Sequence, residues 1–171
     1  MFGDRWGVTE AEVGQHFPCD DLVPAPALAL WRGVTVQAPP EAVWPWLRQL
    51  RVAPYSYDWI DNAGRRSPRA LVDLPDPCPG DPFSTFAGSR DVGRIVAVEP
   101  GRQLTATVMG TLMSYVLSAE GETTRLLLKV VLPQQRWYGR ALALGDWPMA
   151  RRQLLTLKHL AEGSGAGGRL Q

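Results

Sequence analysis

From residue 91 to 133 the chain repeats one pattern, in which runs of apolar and polar residues alternate between the very short breaks EPGR, MG and EGE. Runs of this length, rich in β-branched and aromatic residues, read as strands. Breaks this short leave room only for hairpin turns between antiparallel neighbours. With the preceding segment, FSTFAG (83–88), DVGRIVAVEP (91–100), RQLTATVM (102–109), TLMSYVLSAE (111–120) and TTRLLLKVVLP (123–133) form five successive strands of a meander. The two-residue period assigns the faces: Arg125 and Lys129 point one way, and Leu126, Leu128, Val130 and Leu132 the other. Leu104, Ala106 and Val108 form a similar row, as do Met113, Tyr115 and Leu117.

Such an apolar face has to be covered, and the end of the chain supplies the cover. RWYGRALALGDWPMARRQLLTLKHLAEG predicts a helical approach from about 136 and a main helix from Asp146 to about Glu162. Asp146 suits the N-cap, Pro148 the first turn and Gly163 the stop. Ala150, Leu154, Leu157 and Ala161 recur at helical spacing and should lie against the sheet.

Before the meander, LWRGVTVQA (30–38) reads as a strand, with Val34 and Val36 alternating with Thr35 and Gln37. Pro39 and Pro40 end it and suit the first turn of a helix over 39–50, whose apolar face is Val43, Trp44, Leu47 and Leu50. Pro45 should kink this helix, and Trp46 falls off its apolar stripe. YSYDWIDNAG (55–64) can form a second short helix, followed by an irregular connection from Arg65 to Pro82. Residues 1–30 read as an arm lying over the domain, with a short helix around Thr9–Val13 capped by Thr9 and Glu12. The expected fold is α+β of the helix-grip type: a curved antiparallel sheet wrapped around a long C-terminal helix, with two short helices after the first strand. The domain spans 31–162, and 163–171 reads as a flexible tail.

With 171 residues, the chain suits one domain able to bury a full core, or a core with a hollow in it. Its 18 basic and 17 acidic residues give no electrostatic reason to expect nucleic acid. Arg65, Arg66 and Arg69 form a local cluster that suits a solvated loop or a small anion site. Cys19 and Cys78 lie far apart, as free thiols in a reducing compartment would. There is no apolar run of about 18 residues and no signal-peptide pattern at the start, so a cytoplasmic protein without integral membrane association is expected. His16 and His159 stand isolated, without metal-ligand spacing. The sequence contains no GxSxG elbow and no glycine-rich phosphate loop. No metal or cofactor is expected.

The surplus is aromatic: of 7 tryptophans, Trp44, Trp46 and Trp59 fall close together. Tyr55, Tyr57, Asp58, Trp59, Asp61 and Asn62 crowd polar tips and aromatic bodies into one segment. That mixture suits a pocket mouth. It equally suits a helix docked by Tyr57 and Trp59, with Asp58 and Asn62 capping it. A ligand held between sheet and helix would be walled by Trp46, Tyr55, Tyr57, Trp59, Met113, Tyr115, Leu128 and Leu154. An enzyme on the same frame would use Tyr57 or Tyr115 to polarise a carbonyl and Asp58 to move a proton.

The segments VTVQAPPEAVWPWLRQL, YSYDWIDN, DVGRIVAVEPGRQL and TTRLLLKV, with the terminal M-x-R-R-x-L-L-x-L-K helix, resemble the START-like superfamily. This is the helix-grip group that includes polyketide cyclase/dehydrase-like and Bet v 1-like proteins. More narrowly, the APP-x-x-VWPWL segment followed by YSYDW is similar to an uncharacterised bacterial branch of it. The resemblance covers roughly residues 20–162. It implies an internal cavity for a lipid-like, polyketide-like or aromatic small molecule, and it implies no defined reaction. Three readings stay open: a small-molecule binding protein, a cyclase or dehydratase acting on a polyketide-like or aromatic substrate, and a module that binds another protein through its aromatic surface.

Overall fold

The computed structural model describes residues 4–57, 64, 66–83, 92–134 and 139–167, with the backbone alone at 139–147 and 165–167. Six strands make one sheet: β1 (Arg5–Trp6), β2 (Leu28–Val36), β3 (Gly93–Glu99), β4 (Gln103–Val108), β5 (Thr111–Glu120) and β6 (Thr123–Leu132). Their spatial order is β1-β2-β6-β5-β4-β3, antiparallel throughout except for β1, which runs parallel to β2. The helices are α1 (Glu10–Gly14), α2 (Pro18–Leu22), α3 (Pro40–Arg48), extended by a 3-10 turn at Gln49–Arg51, and α4 (Gly139–Gly167). This is the helix-grip arrangement, a curved sheet with a long C-terminal helix.

Turn chemistry sets the meander. Val108 pairs with Thr111, so Met109 and Gly110 alone connect β4 to β5, and both take positive φ, 49° and 82°. That turn carries the twist of the flanking strands. Glu120 pairs with Thr123 across Gly121 (φ 62°) and Glu122. The expected strand at 83–88 lies almost wholly outside the described residues. Phe83 itself donates its amide to the Gly93 carbonyl at 2.9 Å, beside a bridge between Pro82 and Arg94.

One face of the sheet carries the main core. Leu30, Val34, Val36, Leu104, Ala106, Tyr115, Leu117, Leu126 and Leu128 meet α3 and α4 there. Ala150, Leu154, Leu157 and Ala161 of α4 are all buried on it. The helix differs from expectation at both ends. It begins by Gly139, so Asp146 lies inside it and is not its N-cap, and Pro148 is an interior proline. It also passes through Gly163 without stopping. Trp46 does not stand apart from the core either; it is 2% exposed and belongs to the same cluster as Trp44.

The other face is covered by the segment that carries α1 and α2. Phe17 and Cys19 pack with Leu112, Leu127 and Val131 in a second apolar cluster. Two ion pairs clamp the arm: Arg125 to Glu12 at 2.7 Å, and Lys129 to Asp20. Thr9 and Glu12 form the expected capping box at the start of α1.

Candidate functional site

Because side chains alternate, the inner face of the sheet is built in rows that run across the strands. One row contains Leu30, Val130, Met113, Ala106 and Ile95; the next contains Arg32, Leu128, Tyr115, Leu104 and Val98. At the far end, α3 contacts β5 and β6, and Val36, Leu117 and Leu126 are all buried. At the near end the residues are less covered: Leu28, Val108 and Met113 are only half-buried while packing against the core. The packed layer between sheet and helix is therefore fully buried at the α3 end and bordered by incompletely covered apolar side chains at the other.

The row behind that border is polar in part. Tyr115, 0% exposed, donates its hydroxyl to Oε1 of Gln153 on α4 at 2.6 Å. Gln153 Nε2 in turn donates to the Pro54 carbonyl at 2.6 Å, tying sheet, helix and the segment after α3 together. Arg32, also 0% exposed, donates from Nη1 to the Asp4 carbonyl at 2.8 Å and to the Trp31 carbonyl at 2.9 Å. Hydrogen bonding of this kind is what makes burial of such groups tolerable. Arg32 and Gln153 were not expected here. Alternation was the available signal for Arg32, which shares its parity with Leu30, Val34 and Val36, and Gln153 adjoins Leu154 on the buried stripe of α4.

A second glutamine fixes the wall beside α3. Gln49, 0% exposed, donates from Nε2 to the Tyr55 hydroxyl and, at 3.2 Å, to the Ala70 carbonyl, while its Oε1 accepts from the Val72 amide at 2.8 Å. The irregular segment 66–83 is thereby stitched to the domain, with Arg51 and Asp81 adding an ion pair at 3.2 Å. Tyr55 holds a positive φ of 55° and meets Trp46 edge-on at 6.4 Å. Trp46 Nε1 donates to Ser164 Oγ at 3.2 Å, joining α3 to the last turns of α4.

The expected wall residues thus separate into groups. Trp46, Tyr55, Tyr115, Leu128 and Leu154 come together as buried core, and Met113 stands at its half-covered border. Tyr57 lies elsewhere, half-buried in a cleft that also contains Arg152 and His159 of α4. Asp58 and Trp59, with Asp61 and Asn62, fall outside the described residues, as does most of the short helix expected over 55–64; Tyr55–Tyr57 are not helical. Arg94 is exposed and donates to the Gly80 carbonyl at 3.3 Å. Among the described residues, no three metal-ligating side chains cluster, and no helix is long and apolar enough to cross a membrane.

No protein-family model matches the chain, and no curated protein sequence matches it. Solved structures do share its fold. A Rhodobacter sphaeroides protein superposes with a TM-score of 0.55 at 20% identity, over 86% of this chain and 97% of its own. A Thermobifida fusca protein gives 0.56 at 18% identity, over 78% and 92% of the two chains. The MLL2253 protein of Mesorhizobium loti gives 0.55 at 17%, over 77% and 95%. At these identities the likeness is one of fold.

Proposed function

We propose that the chain binds a small hydrophobic or amphipathic molecule between the curved sheet and α4, entering at the end bordered by Leu28, Val108 and Met113. One observation carries this reading: a single face of the sheet is fully buried at the α3 end, yet carries incompletely covered apolar side chains at the other. The apolar body of the ligand covers Val108 and Met113. Its polar end reaches the next row, where Tyr115, Gln153 and Arg32 are the buried polar groups. The START-like resemblance of the sequence supports the same kind of ligand. Burying apolar surface contributes roughly 25 cal/mol per Å² before the costs of association, so micromolar binding needs no covalent chemistry.

Native mass spectrometry of the purified chain, with extraction of bound molecules and a parallel Met113→Arg variant, tests this reading. A stoichiometric apolar adduct that the variant lacks supports it. A chain that purifies clean and takes up no added decanoate counts against it.

A further inference from the structure

The face of α4 turned away from the sheet carries a second feature. Arg151, Arg152, Leu155, Thr156 and His159 recur three and four residues apart, opposite the buried stripe of Ala150, Leu154, Leu157 and Ala161. Together with Tyr57 and Arg69 they line a cleft of about 430 Å³. That volume falls within the roughly 300–1,000 Å³ of ordinary small-ligand sites. The described lining residues include three arginines and a histidine but no carboxylate. In a chain whose formal net charge is only +1, this is a concentrated positive site.

Two of the guanidiniums are held in place. Arg152 lies over the Tyr57 ring at 5.0 Å, and its Nε donates to the Ser56 carbonyl at 3.1 Å. Arg151 lies 5.2 Å from the Trp6 ring centroid. For Arg152, contact with the aromatic face and the Nε bond orient the guanidinium and leave its two Nη groups to meet an acceptor. Among the described residues, Arg69 and Arg152 make no ion pair with a carboxylate, whereas the charge of His159 helps to lower the Glu162 carboxyl one turn on. Planar guanidiniums match the oxygens of a phosphate in paired hydrogen bonds, and several cations together favour a dianion over a monoanion.

We propose that this cleft is a phosphate-recognition site, taking the phosphate of a small organic ester or of a lipid headgroup between Arg69, Arg152 and His159, with Arg151 adding to the positive charge of the lining. Tyr57 and Leu155 contact the carbon body next to the phosphate. The site lies on the opposite side of α4 from the sheet, so it stands or falls independently of the ligand proposed there.

Backbone and arginine side-chain NMR of the full chain, titrated with phenyl phosphate and separately with phosphatidylcholine vesicles containing phosphatidic acid, tests the proposal. Saturable shifts at Arg152 and His159 with phenyl phosphate identify a soluble ester. Binding to the phosphatidic acid vesicles, but not to phosphatidylcholine alone or to phenyl phosphate, identifies a headgroup. In either case Arg69→Gln and Arg152→Gln each weaken binding roughly tenfold or more, the loss of one charge-assisted contact. His159→Gln, at an exposed side chain, serves as a second variant that leaves folding intact and also weakens binding. No saturable response to either probe, or a response that survives all three substitutions, overturns the proposal.

Discussion

The Tyr115 hydroxyl reaches across the core to Gln153 Oε1 at 2.6 Å, so the middle of β5 and the middle of α4 are joined by a fully buried hydrogen bond. Gln153 passes the link on to the Pro54 carbonyl at 2.6 Å. Tyr115→Phe removes the donor and leaves a buried acceptor short of its partner, which costs about 1–3 kcal/mol. Urea unfolding should show a lower midpoint with an unchanged slope. Gln153→Leu strips both ends of the link and should cost at least as much. An unchanged midpoint for both variants would mean that this link contributes nothing to stability.

Lys129 pairs with Asp20 while its ammonium lies 5.3 Å from the Phe17 ring centroid and 5.2 Å from that of Trp31. Removing the carboxylate strands a buried charge; removing the lysine in favour of a similar apolar side chain does not. Asp20→Asn should therefore destabilise the chain by about 3 kcal/mol, and more than Lys129→Met does.

The same contact protects Cys19. Burial raises the Cys19 thiol above its ordinary value, a Ser114 hydrogen bond offsetting part of the rise, whereas Cys78 is exposed. A thiol reagent should label Cys78 at once and Cys19 only when the arm opens. Asp20→Asn should speed Cys19 labelling and leave the Cys78 rate alone. Equal, fast labelling of both thiols in the unaltered chain would show that the arm does not cover this face.

Acid should weaken the fold through Glu12 and Glu162. Burial pushes both carboxyls up, but hydrogen bonds and charge from Arg125 and Thr9 at Glu12, and from Lys158 and the Gln37 amide at Glu162, outweigh it and leave both below the ordinary 4.5. A carboxyl depressed in the folded state contributes stability that is present above the unfolded value and lost as pH falls through the folded one. Unfolding free energy should hold steady down to about pH 5 and decline below it, less steeply in Arg125→Met. A rise in stability on acidification would contradict this.

Gly7 and Gly33 mark where the arm crosses β2. Gly7 has φ +66°, and a Cβ placed on it would lie 2.2 Å from the Gly33 carbonyl oxygen. Gly101, with φ +77°, has nothing within 4 Å of such a Cβ. Gly7→Ala should therefore cost well over about 1 kcal/mol, and Gly101→Ala only the backbone strain. Equal melting temperatures for the two variants would count against this close crossing.

The sheet could be read from sequence because its turns are short and its inner and outer residues differ in polarity; Arg125 and Lys129 alternate with Leu126, Leu128 and Val130 as observed. The start of α4 could not, because a proline that suits a first turn also looks like a start signal. Here Ala141, Leu142, Ala143 and Leu144, good helix formers, carry the helix upstream of Pro148. Trp46 was misplaced because a single apolar stripe describes a helix buried on one side, whereas α3 also meets Tyr55 and Ser164. The arm's clamps join residues 109 and 113 positions apart, which no local pattern reveals. Arg32 follows the strand alternation, but its charge argues against an inward position.

The most direct measurement of the central claim is methyl NMR of the Leu, Val and Met side chains during a decanoate titration. A ligand between the sheet and α4 should give saturable shifts at Met113, Val108 and Leu28, no comparable change at Leu127 and Val131 beneath the arm, and loss of the effect in Met113→Arg. Saturable shifts confined to Leu155 or to the arm-covered face, or none at all, would contradict a ligand held between the sheet and α4.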